Sequence, residues 1–254
     1  MKLVVWGNSH LPAFRDAWLA LDRENRVPAC FLPTPNVANF AEVVHHGSAT
    51  ATLNFPDGRT QAVTLPPADE SVLVIVGNGN YGHFSTFERP GCLPPLWVYS
   101  PRVSQEQGVD PDLLPSIAPI SSTLFEVIYR DKPLHGLLHR CGFSKDYFAQ
   151  FLKVFIFISP TPASSFFRRQ RHSLHYLEAA CLRQFKQAYG RLFERQVQGL
   201  GLQELTLLHP SASLEAWDGT TSEAYLLDEA LQVHANQDYW QQRIAASPLP
   251  LLVA

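Results

Sequence analysis

Apolar residues in this chain gather in short unbroken runs instead of alternating with polar ones. Leu3-Val4-Val5-Trp6 is the first, stopped by Gly7. Val27–Leu32, Val72–Val76, Lys153–Ile158 and Glu204–Leu208 follow the same pattern, each closed by glycine, proline or a polar turn. Runs of this length suit strands buried on both faces. Helical spacing fills the intervals. Pro12–Leu21 reads as a helix, and Leu174, Leu177, Cys181, Phe185, Ala188 and Leu192 recur along one helical stripe, with Arg183, Lys186 and Arg191 on other faces. A last helix is predicted from Asn236 to about Ala245. Buried strands linked by helical crossovers imply a parallel sheet covered on both sides. The predicted fold class is therefore α/β, a three-layer α/β/α sandwich with strand order 2-1-3-4-5.

Two segments depart from this rhythm. Thr50-Ala51-Thr52-Leu53-Asn54-Phe55 and Thr60-Gln61-Ala62-Val63-Thr64-Leu65 alternate apolar and polar positions, and Pro56-Asp57-Gly58 joins them. That is a hairpin signal, expected as an insertion at about 49–65 decorating the sheet edge. From about 90 to 142 the chain carries Pro94-Pro95, Pro101, Pro111, Pro115, Pro119 and Pro133, read as a lid-like, helical insertion. Residues 1–254 are otherwise expected to form a single domain.

Composition narrows the function classes. Apolar residues make up 46% of the 254 and charged residues 17%, enough for a full core. A net charge of −3 with interspersed signs gives no field for nucleic acid. Arg168-Arg169-Gln170-Arg171-His172 is the one basic cluster and reads as a solvated helix start. Cys30, Cys92, Cys141 and Cys181 are scattered and form no metal or redox pair. No run is long enough for a membrane span, and only a few apolar residues precede Gly7, so a cytoplasmic protein is expected. His135-x-x-x-His139 with Cys141 imitates a metal pair, but no further ligand cluster accompanies it, so no metal and no cofactor are expected.

The chemistry concentrates in Gly7-Asn8-Ser9-His10, between the first strand and the first helix. Open α/β sheets bind ligands beyond the carboxyl ends of their strands. The helix start adds unpaired N–H groups and a positive dipole end, both suited to an oxyanion. The plain alternative makes Asn8 and Ser9 a turn and a helix cap. His10 is expected to point away from Ser9, because adjacent side chains diverge on a helix.

In order and spacing the chain resembles the SGNH/GDSL hydrolase superfamily, esterases and acyltransferases on a flavodoxin-like sheet. Gly7-Asn8-Ser9-His10 resembles the nucleophile block, and Val233-His234-Ala235-Asn236-Gln237-Asp238-Tyr239-Trp240 the C-terminal histidine block. The resemblance implies Ser9 as nucleophile and His234 as base. It implies an oxyanion hole from the Ser9 N–H, a loop glycine matched by Gly47, and an asparagine in Gly77-Asn78-Gly79-Asn80. The family spacing would put that asparagine at Gly79. Asn80 and Asn78 are the two candidates, with Asn80 preferred because Gly79 lets the backbone bend.

The sharpest departure is the acid. Leu231 stands where the family has aspartate, three residues before the histidine. Asp228 is the preferred replacement, with Glu229 or a backbone carbonyl as alternatives. The implied activity is a serine esterase acting on small-molecule or glycan O-acyl esters, acetyl among them. An O-acyltransferase on the same site, or a non-catalytic binding module of the same fold, are the alternatives.

Overall fold

The apolar runs form one parallel sheet. Its strands are β1 (Lys2–Gly7), β2 (Ala29–Pro33), β6 (Ser71–Asn78), β9 (Lys153–Ile158) and β10 (Glu204–Leu208). Across the sheet they stand in the order β10-β9-β6-β1-β2, and every neighbouring pair is parallel. The computed structural model describes residues 1–22, 27–33, 42–46, 50–55, 57–78, 96–98, 118–120, 127, 148–161, 191–196, 198–200, 204–216, 220–227 and 234–250.

The central strands β1, β6 and β9 are buried on both faces, whereas the edge strand β10 is partly exposed. On one face Leu3 and Val5 of β1, Val72, Val74 and Val76 of β6, and Phe155 and Phe157 of β9 form a continuous core. Register pairs Leu3 with Val72, Val5 with Val74, and Val74 with Phe155, so these side chains line up in rows across the sheet. Helix α1 (Leu11–Leu19) adds Leu11, Phe14, Ala17 and Trp18, and helix α2 (Gln237–Ala245) adds Tyr239, Trp240 and Ile244. The alternate residues Val4, Trp6, Leu73, Ile75, Val154 and Ile156 are fully buried too, so the sheet is covered on both sides. Each such side chain contributes about 1.5–3 kcal/mol of burial. This two-sided burial is why the runs show no polar alternation.

Several boundaries move for stereochemical reasons. β2 starts at Ala29, not Val27, because Pro28 has no N–H to give; its carbonyl accepts from Leu3 N at 2.9 Å. α1 starts at Leu11, and Pro12 sits in the first turn, where its missing N–H does no harm. The predicted stripe from Leu174 lies outside the described residues up to Arg191. From there to Gln196 the chain is helical, with Leu192 and Phe193 buried.

The predicted hairpin is β4 (Thr50–Asn54) against β5 (Thr60–Thr64), antiparallel and separate from the main sheet. A strand the pattern did not announce, β3 (Glu42–His46), joins it on the other side of β4. Most of the Pro-rich insertion lies outside the described residues; within it β7 (Leu96–Val98) and β8 (Ala118–Ile120) pair as parallel strands, and Val127 is helical. Among the described residues no helix is long and apolar enough to cross a membrane, and no group of metal-ligating side chains gathers.

Candidate active site

The carboxyl ends of β1 and β6 meet at the turn after β1. The β1–β6 ladder runs one residue beyond Gly7, with Asn8 N donating to Val76 O at 3.3 Å. Asn8 then folds its amide over the end of β6, where Nδ2 donates to the Gly77 carbonyl. Its Oδ1 accepts from His10 N at 3.0 Å, and its carbonyl accepts from Leu11 N at 2.9 Å. One side chain thus ties the turn to the helix behind it and to the strand beside it.

Two glycines make room for this. A Cβ at Gly7 would lie 2.9 Å from Leu11 Cβ, so α1 can fold back on β1 only over a bare backbone. Gly77 has φ +80°, and a Cβ there would meet Asn8 Oδ1 at 2.1 Å. It therefore needs both the left-handed conformation and the vacant space. The β6–β9 register shifts between Val76 and Asn78, a bulge that re-aims the strand end.

Ser9 lies in this turn, half-buried. It is not the helix cap. The N-cap of α1 is His10, which makes no side-chain capping bond, and the Asn8 amide serves the turn. The N–H groups of Asn8, His10 and Leu11 are all committed to the bonds above, while among the described residues that of Ser9 enters none of them.

The second element arrives from the C-terminal side. Leu227 N donates to His234 O and Asn236 N to Tyr225 O, both at 2.9 Å, pairing 225–227 antiparallel to 234–236. Asn236 has three bonds in this arrangement. Beside that backbone contact, its Oδ1 accepts from Tyr239 N at 3.1 Å, capping α2, and its Nδ2 donates to Ala224 O at 3.0 Å. The helix predicted from Asn236 is in place, and its cap fixes the strand that leads into it.

His234 is half-buried, and its ring meets the ring of His10 edge-on, with centroids 5.3 Å apart and planes at 68°. A hydrogen bond between the Ser9 hydroxyl and His234 is not among the contacts of the described residues. Trp240 lies on the other side of His10 at 5.9 Å. Burial, then the charges of His234 and Arg243, pulls the His10 pKa from 6.5 to about 3, so this imidazole stays neutral.

Arg243 closes the back of the site. It is buried, donates from Nη1 to Ile158 O and from Nη2 to Leu208 O, and lies over Phe157, Tyr239 and Trp240 at 5.2, 5.6 and 5.3 Å. Its fork satisfies the carbonyls at the ends of β9 and β10, and its charge is spread over aromatic faces. Burial pushes the Tyr239 phenol up despite that cation. Around this cluster Ser159 Oγ, Thr161 Oγ1 and Trp240 Nε1 are buried without hydrogen-bond partners.

Of the residues singled out from the sequence, Ser9 lies in the turn after β1, and His234 lies against the ring of His10, the residue that follows Ser9. Gly47 lies outside the described residues, in the connection from β3 to β4. Asn78 ends β6, and Asn80 lies outside. Asp228, Glu229 and Leu231 also lie outside, in the connection that leaves at Leu227 and returns at His234, two residues whose backbones are bonded. His10 and Arg243 are the residues that sequence reasoning missed. The divergence of adjacent side chains gives His10 no partner of its own; its buried ring packs on His234, because Asn8 and α1 fix its backbone and Trp240 closes behind it. Arg243 left a signal, a cation inside the apolar stripe Tyr239, Trp240, Arg243, Ile244. Compared with family models, with curated proteins and with solved structures, the chain matches none.

Proposed function

We propose that this chain is a serine esterase of SGNH type that acts on O-acyl esters, acetyl esters of a glycan included, through an acyl-enzyme on Ser9. The observation that carries the reading is the meeting of two segments: the turn holding Ser9 and the segment holding His234 come together at the carboxyl end of a parallel sheet, joined by the His10–His234 ring contact. A ligand site in that position is what an open α/β sheet offers. The finer architecture belongs to the same proposal: a three-layer, flavodoxin-like sandwich with order 2-1-3-4-5.

The chemistry runs in two steps. His234 takes the proton of Ser9 Oγ as it attacks the ester carbonyl, and the same imidazole returns it to the leaving alcohol. Water then releases the acid by the reverse proton path. The uncommitted Ser9 N–H is one donor to the oxyanion. Asn80 or Asn78 and Gly47 supply the others in this reading, each such donor being worth ~3 kcal/mol in the transition state. Asp228 is proposed to orient His234. The bonded pair Leu227–His234 at the root of its connection supports that role, since it keeps the two ends of the segment together.

Turnover of an aryl acetate tests this. Ser9→Ala and His234→Ala should each lower kcat by at least roughly 10³-fold. Asp228→Asn should lower it strongly, up to about 10⁴-fold, with the fold intact. Turnover of Ser9→Ala equal to that of the unchanged chain contradicts the nucleophile, and equal turnover of Asp228→Asn removes the carboxylate from the mechanism.

A further inference from the structure

Nothing in the Ser9–His234 chemistry employs His10, yet its backbone is fixed on both sides and its ring is buried. Its N–H is bonded to Asn8 Oδ1 and its carbonyl to Phe14 N at 3.1 Å. Its side chain is 4% exposed. Its Nδ1 is buried with no hydrogen-bond partner, so this nitrogen has no structural use that accounts for it.

The contacts give it a different place. Arg243 is anchored on the carbonyls of Ile158 and Leu208 and lies 5.3 Å over Trp240. Trp240 stands 5.9 Å from His10, and His10 stands 5.3 Å from His234. A series of packed groups thus runs from the ends of β9 and β10 to the His234 ring. An imidazole's χ2 is a broad torsion with weak intrinsic preference, so its plane is set by neighbours.

We infer that His10 is a positioning residue for His234, its flat ring fixing the plane of the His234 imidazole beside the Ser9 turn. The catalytic consequence rests on the esterase reading above; the geometry does not. Because the work is done by a flat ring edge, phenylalanine should replace it and alanine should not.

Ring-labelled NMR of the histidines, paired with aryl acetate turnover, tests this on the whole chain. The unchanged protein should show a cross-relaxation contact between the His10 and His234 rings. His10→Ala should broaden or split the His234 ring signals and lower kcat roughly tenfold to a hundredfold with KM little changed. His10→Phe should keep the His234 signals sharp and restore most of the rate. If His10→Ala fails to fold, His10→Leu, which fills the space without a flat ring, takes its place. Sharp His234 signals and unchanged kcat in the Ala or Leu variant overturn the inference. So does a Phe variant as impaired as the Ala one. If the unchanged chain turns over no ester while His234 still loosens in His10→Ala, the esterase reading fails and the positioning role stands.

Discussion

The turn after β1 and the turn between β4 and β5 are made from the same local parts. In the first, Asn8 Oδ1 accepts from the N–H two residues on, His10, at 3.0 Å. In the second, Asp57 Oδ1 accepts from Arg59 N at 3.1 Å. Each has a glycine in the left-handed region beside it, Gly77 at φ +80° and Gly58 at φ +84°. The surroundings differ. Gly58 has nothing within 4 Å of where a Cβ would stand, and the Asp57–Arg59 pair is exposed. Gly77 is covered by the Asn8 amide, and His10 is buried among rings. The same local hydrogen bond closes a loop in one place and assembles a site in the other.

The largest separation should come from the glycines. Gly77→Ala combines left-handed strain with eviction of Asn8, and should cost on the order of 3–5 kcal/mol in urea unfolding. Gly58→Ala meets only the strain, about 1–2 kcal/mol. Similar losses at the two positions would break the comparison.

Asn8→Ala ranks next. It leaves Gly77 O and His10 N without their partner and should cost about 1–3 kcal/mol. Asp57→Ala, in a fully exposed turn, should leave the unfolding midpoint unchanged within error.

Acid sharpens the same contrast. His10 has a folded pKa of about 3 against 6.5 unfolded, so between those values the unfolded chain binds the proton first. Stability is complete above about pH 6.5 and falls toward pH 3, by about 1.4 kcal/mol per pH unit. The groups facing this ring are His234 and Arg243, both of which oppose its protonation. Subtracting the profile of His10→Phe should remove this slope. The Asp57 carboxyl is held below its usual range by bonds from Arg59, so its small contribution is also lost as pH falls. Being exposed, it should add no visible step.

Much of the scaffold was legible because its signals are local. Unbroken apolar runs mark β1, β6, β9 and β10, Pro56-Asp57-Gly58 marks the hairpin, and Asn236 marks the start of α2. The missed strand β3 has no such signal: Glu42-Val43-Val44-His45-His46 is short, and pairing with β4 makes it a strand. In the site, Ser9 and His234 were legible from their positions next to a strand end and a helix start. His10, Arg243 and the closure of Asn8 over Gly77 were not, because each depends on distant partners: Gly77 is 69 residues from Asn8, and Ile158 and Leu208 are 85 and 35 from Arg243. Adjacent side chains on a helix do diverge; that rule says where His10 points relative to Ser9 and nothing about what arrives from the C-terminus.

The central claim is that Ser9 is an activated nucleophile, and covalent labelling reads it most directly. A fluorophosphonate should modify the unchanged chain at a single site, with the adduct mapped to the peptide containing Ser9. Ser9→Ala should abolish labelling, and His234→Ala should slow it by at least roughly 10³-fold. Equal labelling of Ser9→Ala, or an adduct on any other residue, would contradict the account.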